Sequence, residues 1–176
     1  MRRLATLASQ LGPDSAAACE QLLLFTVVGA AVAQDESFTF SLGDGLWALN
    51  GAEHRLGPFP GNAPPYLAYG LLDPTGPRFE IGGRLPTSEL ESALVATDGL
   101  VDLADAGDRN LPGRAEKVGP LSQFWREDRF FKNADSLRRR LAVAARDAVR
   151  LEAVPARDPG LLPDDTTVAV IRRRAP

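Results

Sequence analysis

FTVVGAAVAQDESFTFSLGDGLWALNG, residues 25–51, decides the fold class of this chain of 176 residues. Two runs rich in β-branched and aromatic residues flank Asp35-Glu36, which predicts a pair of adjacent antiparallel strands. In the second run Phe38, Phe40 and Leu42 fall on one face and Thr39 and Ser41 on the other, the two-residue period of a strand. Gly43 and Gly45 interrupt that strand around Asp44. Asn50-Gly51 is a tight-turn signal ahead of another short element. An all-helical protein is hard to reconcile with this stretch.

Upstream, residues 15–24 read as a helix, with Ala16, Ala17, Ala18 and Leu22 to Leu24 supplying propensity and Asp14 or Ser15 as the cap. The apolar run LLLFTVVGAAV, 22–32, is shorter than the roughly 20 residues a membrane crossing requires. The segment after Met1-Arg2-Arg3 mixes Gln10, Asp14 and Glu20 among its apolar residues, a poor signal peptide. These readings predict a cytoplasmic protein with no membrane partner.

Downstream, the Pro- and Gly-rich segment 57–78 predicts a long ordered loop folded over the domain, with one helical turn around Pro65 to Leu72, because prolines deny helix and central strand their amide hydrogens. Phe79 to Ile81 resembles an edge strand, 93–97 a buried strand and 100–106 a short helix. Residues 107–119 are loop-like. Residues 121–131 and 133–152 form a helical region, capped at Asn133, with Leu137, Leu141, Ala145 and Ala148 on the apolar face and Arg138, Arg139, Arg146 and Arg150 on the solvated side. A last strand covers 166–172. The order predicts an α+β fold with helices covering mostly antiparallel sheets.

Composition narrows the function classes. The length suits one domain, and a hydrophobic content of 44% is enough for a core. The net charge is −3, with both signs mixed along the chain, which argues against a nucleic-acid partner. One cysteine, Cys19, leaves no internal disulfide, and one histidine, His54, rules out a multi-histidine metal centre within this chain. Both read as ordinary packing or surface residues, with a catalytic His54 as the lesser alternative.

Two acidic strand ends stand out. In SALVATDGLVDL, 92–103, Asp98-Gly99 follows an apolar run, and in LPDDTTVAVIRR, 162–173, Asp164-Asp165 precedes one. Hard cations such as Mg²⁺ or Mn²⁺ need oxygen ligands, and short aspartates at the ends of buried strands suit them. Gly99 leaves room for a close backbone approach, and Asp165 is placed to hold a water or support a ligand. Equally, Asp98 can cap the helix that follows and Asp164 can cap a turn. Spacing alone leaves both readings open.

VATDGLVDL resembles the "SDG" segment of metal-dependent protein phosphatases of type 2C (PPM-type). DDTTVAVI resembles their closing Asp-Asn-x-Thr motif, with Asp164 and Thr167 at matching positions and Asp165 in place of Asn. The 25–51 stretch resembles their central hairpin, where "GDS" is common and Gly43-Asp44-Gly45 stands here. The resemblance covers about residues 20–172, in family order. It implies an α-β-β-α sandwich of two antiparallel sheets and a dinuclear Mn²⁺ or Mg²⁺ centre that activates water against phosphoserine and phosphothreonine on proteins. Carried over residue by residue, it makes Asp98 and Asp164 metal ligands, Asp44 a supporting residue, and Gly99, Asp165 and Thr167 candidates for the surrounding shell.

The family's earlier motifs, an Arg-rich phosphate-binding segment, a "NED"-like acidic residue and the "DG-x-G" whose aspartate bridges both metals, are not recognisable before Leu22. The expectation is therefore a single, N-terminally incomplete type 2C-like domain over 1–176, a partial sandwich with at most weak single-ion binding alone, and a second copy or another chain completing the sheets. The competing expectation is a non-catalytic module that binds a partner or a phosphorylated segment through Tyr66, Tyr69, Trp125 or the basic face of 138–150. Trp125, beside Phe124, Phe130 and Phe131, reads first as a packing residue.

Overall fold

A computed structural model describes residues 1–12, 14–73, 75–133, 135–150 and 156–174. The chain forms two compact units, residues 1–44 with 56–88 and residues 45–55 with 89–176. Each has its own antiparallel sheet, so the α+β class stands, with open sheets accompanied by helices.

The first unit opens with α1 (Arg2–Leu11) and α2 (Ser15–Leu22). Asp14 caps α2 as its sequence position predicts, its Oδ1 accepting from the amides of Ala16 at 3.0 Å and Ala17 at 3.1 Å. Helix α1 was not anticipated; it buries only Ala8, which joins Cys19, Leu23 and Ala68 in a small cluster. Ala68 precedes α3 (Tyr69–Leu72), the helical turn expected inside the Pro-rich loop, so that loop is folded into this unit's core.

Strands β1 (Val27–Val32) and β2 (Glu36–Leu42) form the expected hairpin, from Val27 opposite Leu42 to Val32 opposite Ser37. After Gly43 the chain leaves this sheet for β3 (Gly45–Leu49) and β4 (Ala52–Leu56), joined by Asn50 at φ 49° and Gly51 at φ 84°, the left-handed pair of a two-residue hairpin turn. β5 (Glu80–Pro86) returns to pair with the free side of β2, giving the order β1-β2-β5. It extends the expected edge strand by several residues.

Within β2 the hydroxyl residues Ser37, Thr39 and Ser41 are buried, while Phe38 and Phe40 are only half-buried. Hydrogen bonding makes that tolerable. Ser37 Oγ lies 2.8 Å from Thr87 Oγ1, and Thr39 Oγ1 accepts from the Gly83 amide at 3.0 Å, where the β2–β5 register shifts between Phe38 and Phe40.

The second unit holds β6 (Ser92–Ala96), α4 (Gly99–Asp105), α5 (Gln123–Arg126), α6 (Arg129–Lys132), α7 (Asp135–Ala145), β7 (Ala148–Arg150), β8 (Ala156–Asp158) and β9 (Val168–Arg172). Its main sheet runs β4-β3-β6-β9, and β7 pairs with β8 separately. Leu46 and Leu94 from the sheet, Leu100 and Leu103 from α4, and Phe124 and Trp125 from α5 make the core. Trp125 is thus a packing residue, 6% exposed.

Two expectations need correction here. The long helix does not run to 152: α7 ends at Ala145, residues 148–150 are strand, and 151–152 fall outside the described residues. The returning chain ends it. The Leu161 amide donates to the Ala144 carbonyl at 2.7 Å, satisfying an acceptor that the next turn would have used. Asp147 accepts from the Gly160 amide at 2.9 Å and pairs with Arg157. Consequently Ala144, not Ala145 or Ala148, joins Leu137 and Leu141 in the core. The last strand begins at Val168 rather than 166, because Thr166 and Thr167 belong to the turn described next.

Candidate functional site

β6 and β9 are antiparallel neighbours, with Ala96 opposite Val168 and Ser92 opposite Arg172. That pairing brings the C-terminal end of β6, leading to Asp98, beside the N-terminal start of β9, preceded by Asp164. The two acidic junctions, 66 positions apart in number, are therefore one place in the fold.

Backbone and hydroxyl contacts fix the junction. The Thr97 amide donates to the Thr167 carbonyl at 3.0 Å, and the Thr167 amide donates to Thr97 Oγ1 at 3.0 Å. Thr97 Oγ1 also donates to the Asp165 carbonyl at 3.4 Å. Gly99 packs so closely here that a Cβ on it would lie 2.2 Å from Thr166 Oγ1 and 3.5 Å from the Asp164 carbonyl oxygen. Glycine at 99 thus makes room for a threonine side chain, while the backbone oxygen stands at an ordinary contact distance.

Each aspartate has a local role. Asp98 caps α4, accepting from the Gly99 amide at 2.9 Å, and Asp164 Oδ1 accepts from the Asp165 amide at 2.7 Å. Both side chains are exposed, as is Asp165. Asp164 and Asp165 border an open groove of about 270 Å³ against α7, where Arg138, Leu141 and Ala142 form the facing side. The capping and turn readings are thus realised, and Asp98, Asp164 and Asp165 all lie at the surface.

The other sequence candidates divide between the junction and the rest of the chain. Thr167 contributes its backbone to the strand pairing, whereas Thr97 and Thr166, neither singled out from sequence, supply the side chains that bind the junction. Their signal was a threonine next to each acidic junction, Thr97 before Asp98 and Thr166 after Asp165. Asp44 is half-buried and lies just before β3, whose Leu46 stands opposite Ala96 of β6, so it is at the same end of that strand pair as Asp98. His54 is exposed on β4, the opposite edge of the sheet from β9, with its ring stacked 4.8 Å from Trp47. Tyr66 and Tyr69 pack edge to face at 5.5 Å in the first unit.

The basic face of α7 is largely paired. Arg138 and Arg139 share Asp135 at 3.3 and 3.5 Å. Arg140, with a side chain 11% exposed, binds Glu116 at 2.5 Å and donates to the carbonyls of Lys117 and Val118 at 2.7 and 2.9 Å. Among the described residues, no group of three or more His, Cys, Asp or Glu is arranged to hold a metal ion, and no helix is long and apolar enough to cross a membrane. No protein-family model, curated protein or solved structure matches the chain.

Proposed function

We propose that this chain is part of a metal-dependent phosphomonoesterase of the type 2C (PPM) kind, acting on phosphoserine and phosphothreonine in proteins, with Asp98 and Asp164 as its metal carboxylates. The observation that carries this reading is the convergence of the two acidic junctions at one end of β6 and β9, which the resemblance requires and spacing alone left open. The finer architecture follows the same reading. A partial α-β-β-α sandwich calls for two antiparallel sheets, and the chain has a three-stranded and a four-stranded one.

The donors fit the proposed ion in kind and in number for one weak site. Mg²⁺ keeps several waters and takes one or two protein carboxylates directly. When bound, such an ion supplies an acidified water and a positive charge for phosphoryl oxygens. The chain's own contribution is positional. Thr97 and Thr166 hold the turn, the Gly99 and Asp165 amides orient the two carboxylates, and the short aspartate side chains keep their oxygens at the surface. Asp44 is assigned a supporting role, with Gly99, Asp165 and Thr167 around the ligands.

A dinuclear Mn²⁺ or Mg²⁺ centre needs more carboxylates, which we assign to another chain or a second copy. For the completion of the sheets that the same reading calls for, β1 is the suited edge. Its VVGAAV sequence carries neither charge nor proline, the usual guards against edge pairing, whereas the β4, β5 and β9 edges carry charged residues. A cytoplasmic location belongs to the same reading. The runner-up is a non-catalytic phosphatase-like binding module, favoured by the lack of a three-donor cluster among the described residues.

Phosphate release from a phosphothreonine peptide in Mn²⁺ tests the choice. The enzyme reading predicts that whatever turnover the chain or its assembly supports is abolished by Asp98→Asn and by Asp164→Asn. Turnover indifferent to both substitutions would refute the assignment, and binding of the peptide without turnover would favour the module.

A further inference from the structure

A second groove, of about 320 Å³, opens on the side of α7 that carries Arg139 and Arg140. Four arginines line it: Arg114 from the loop after α4, Arg129 from α6, and Arg139 and Arg140 from α7. Among the described residues no carboxylate does. Leu111, Phe130 and Val143 supply an apolar surface and Ser136 a hydroxyl.

Existing ion pairs leave this lining with positive charge to spare. Arg140 is held by Glu116, and Arg129 pairs with Glu127 at 2.6 Å while its guanidinium lies 4.8 Å over the Phe130 ring. Asp135, by contrast, is divided between Arg138 and Arg139. The Arg114 guanidinium and the Ser136 hydroxyl have no side-chain partner among the described residues. A site that offers guanidinium donors and excess positive charge selects an acceptor-rich anion, and paired planar donors suit phosphate oxygens in particular. The apolar surface adds a requirement: the anion must be attached to something that gains by leaving water.

We propose that this groove binds a phosphate monoester carried on an apolar body, with Arg114, Arg139 and Ser136 meeting the phosphoryl group and the partly exposed Phe130 and Val143 meeting the body. The site shares no lining residue with the groove at Asp164 and does not depend on a metal ion there. Arg140 and Arg129 are the fixed part of the lining, because their own partners hold them. Arg114 and Arg139 are the part that responds to a ligand.

Calorimetry with phenyl phosphate on the full chain, in a chelator to silence any metal site, tests this. The expected result is saturable binding that weakens at high salt and weakens about tenfold in Arg114→Ala and in Arg139→Ala as a charge-assisted hydrogen bond is lost. Inorganic phosphate should bind more weakly than phenyl phosphate. A phosphotyrosine peptide that binds more tightly than phenyl phosphate would make the natural ligand a protein segment, whereas equal affinity would make it a small phosphate ester. Absence of saturable binding by wild-type chain, or equal binding by the Arg114→Ala and Arg139→Ala variants with folded circular dichroism spectra, would overturn the proposal.

Discussion

Gly99 shows how one residue governs the acidic junction. Thr166 Oγ1, held by the Asp164 carbonyl at 3.2 Å, occupies the space where a side chain at 99 would stand. Gly99→Ala should therefore destabilise the protein by about 1–3 kcal/mol through overpacking, read by chemical denaturation. Removing the obstruction should relieve part of that loss, so Gly99→Ala with Thr166→Ala should be less destabilised than the sum of the single variants; strict additivity would contradict the packing account. From sequence, the glycine and both aspartates were legible as strand-end residues. The reason for the glycine was not, because it lies in a contact between residues 67 positions apart in number.

Among the elements, local signals carried the β1–β2 hairpin, the Asn50-Gly51 turn, the Asp14 cap and the helical turn in the Pro-rich loop. Each is encoded within a few residues: alternation, a left-handed turn pair, a capping carboxylate, repeated proline. The end of α7 was misread because its stop is tertiary. Helix propensity continues past Ala145, but Leu161 takes the Ala144 carbonyl and Asp147 is drawn to Gly160 and Arg157. Those last contacts, the Gly160 amide first and the Arg157 guanidinium next, hold the Asp147 carboxyl below its ordinary value of 3.8. A lowered carboxylate pKa favours the fold when ionised, so its contribution is fully present above about pH 4 and is lost as pH falls through the lowered value. Denaturation midpoints compared between pH 6 and pH 3 should accordingly fall further for wild type than for Asp147→Asn; parallel curves would show that the contact does not hold the turn after α7.

For the whole molecule, the sequence pattern was sufficient for the α+β class and for antiparallel sheets, since strand alternation and helix caps are local. The division into two units was not legible, because β2 and β3 read as one interrupted strand and only the structure shows the chain changing sheets after Gly43. The acidic junctions sat between these cases: each was visible alone, and their meeting required the β6–β9 pairing. Whether that meeting makes a cation site is the central claim. Calorimetric titration of the chain with Mn²⁺, beside Asp98→Asn and Asp164→Asn, tests it most directly. The account predicts weak, saturable, single-site binding that both substitutions remove; heat from the wild-type chain indistinguishable from that of the two variants would contradict it.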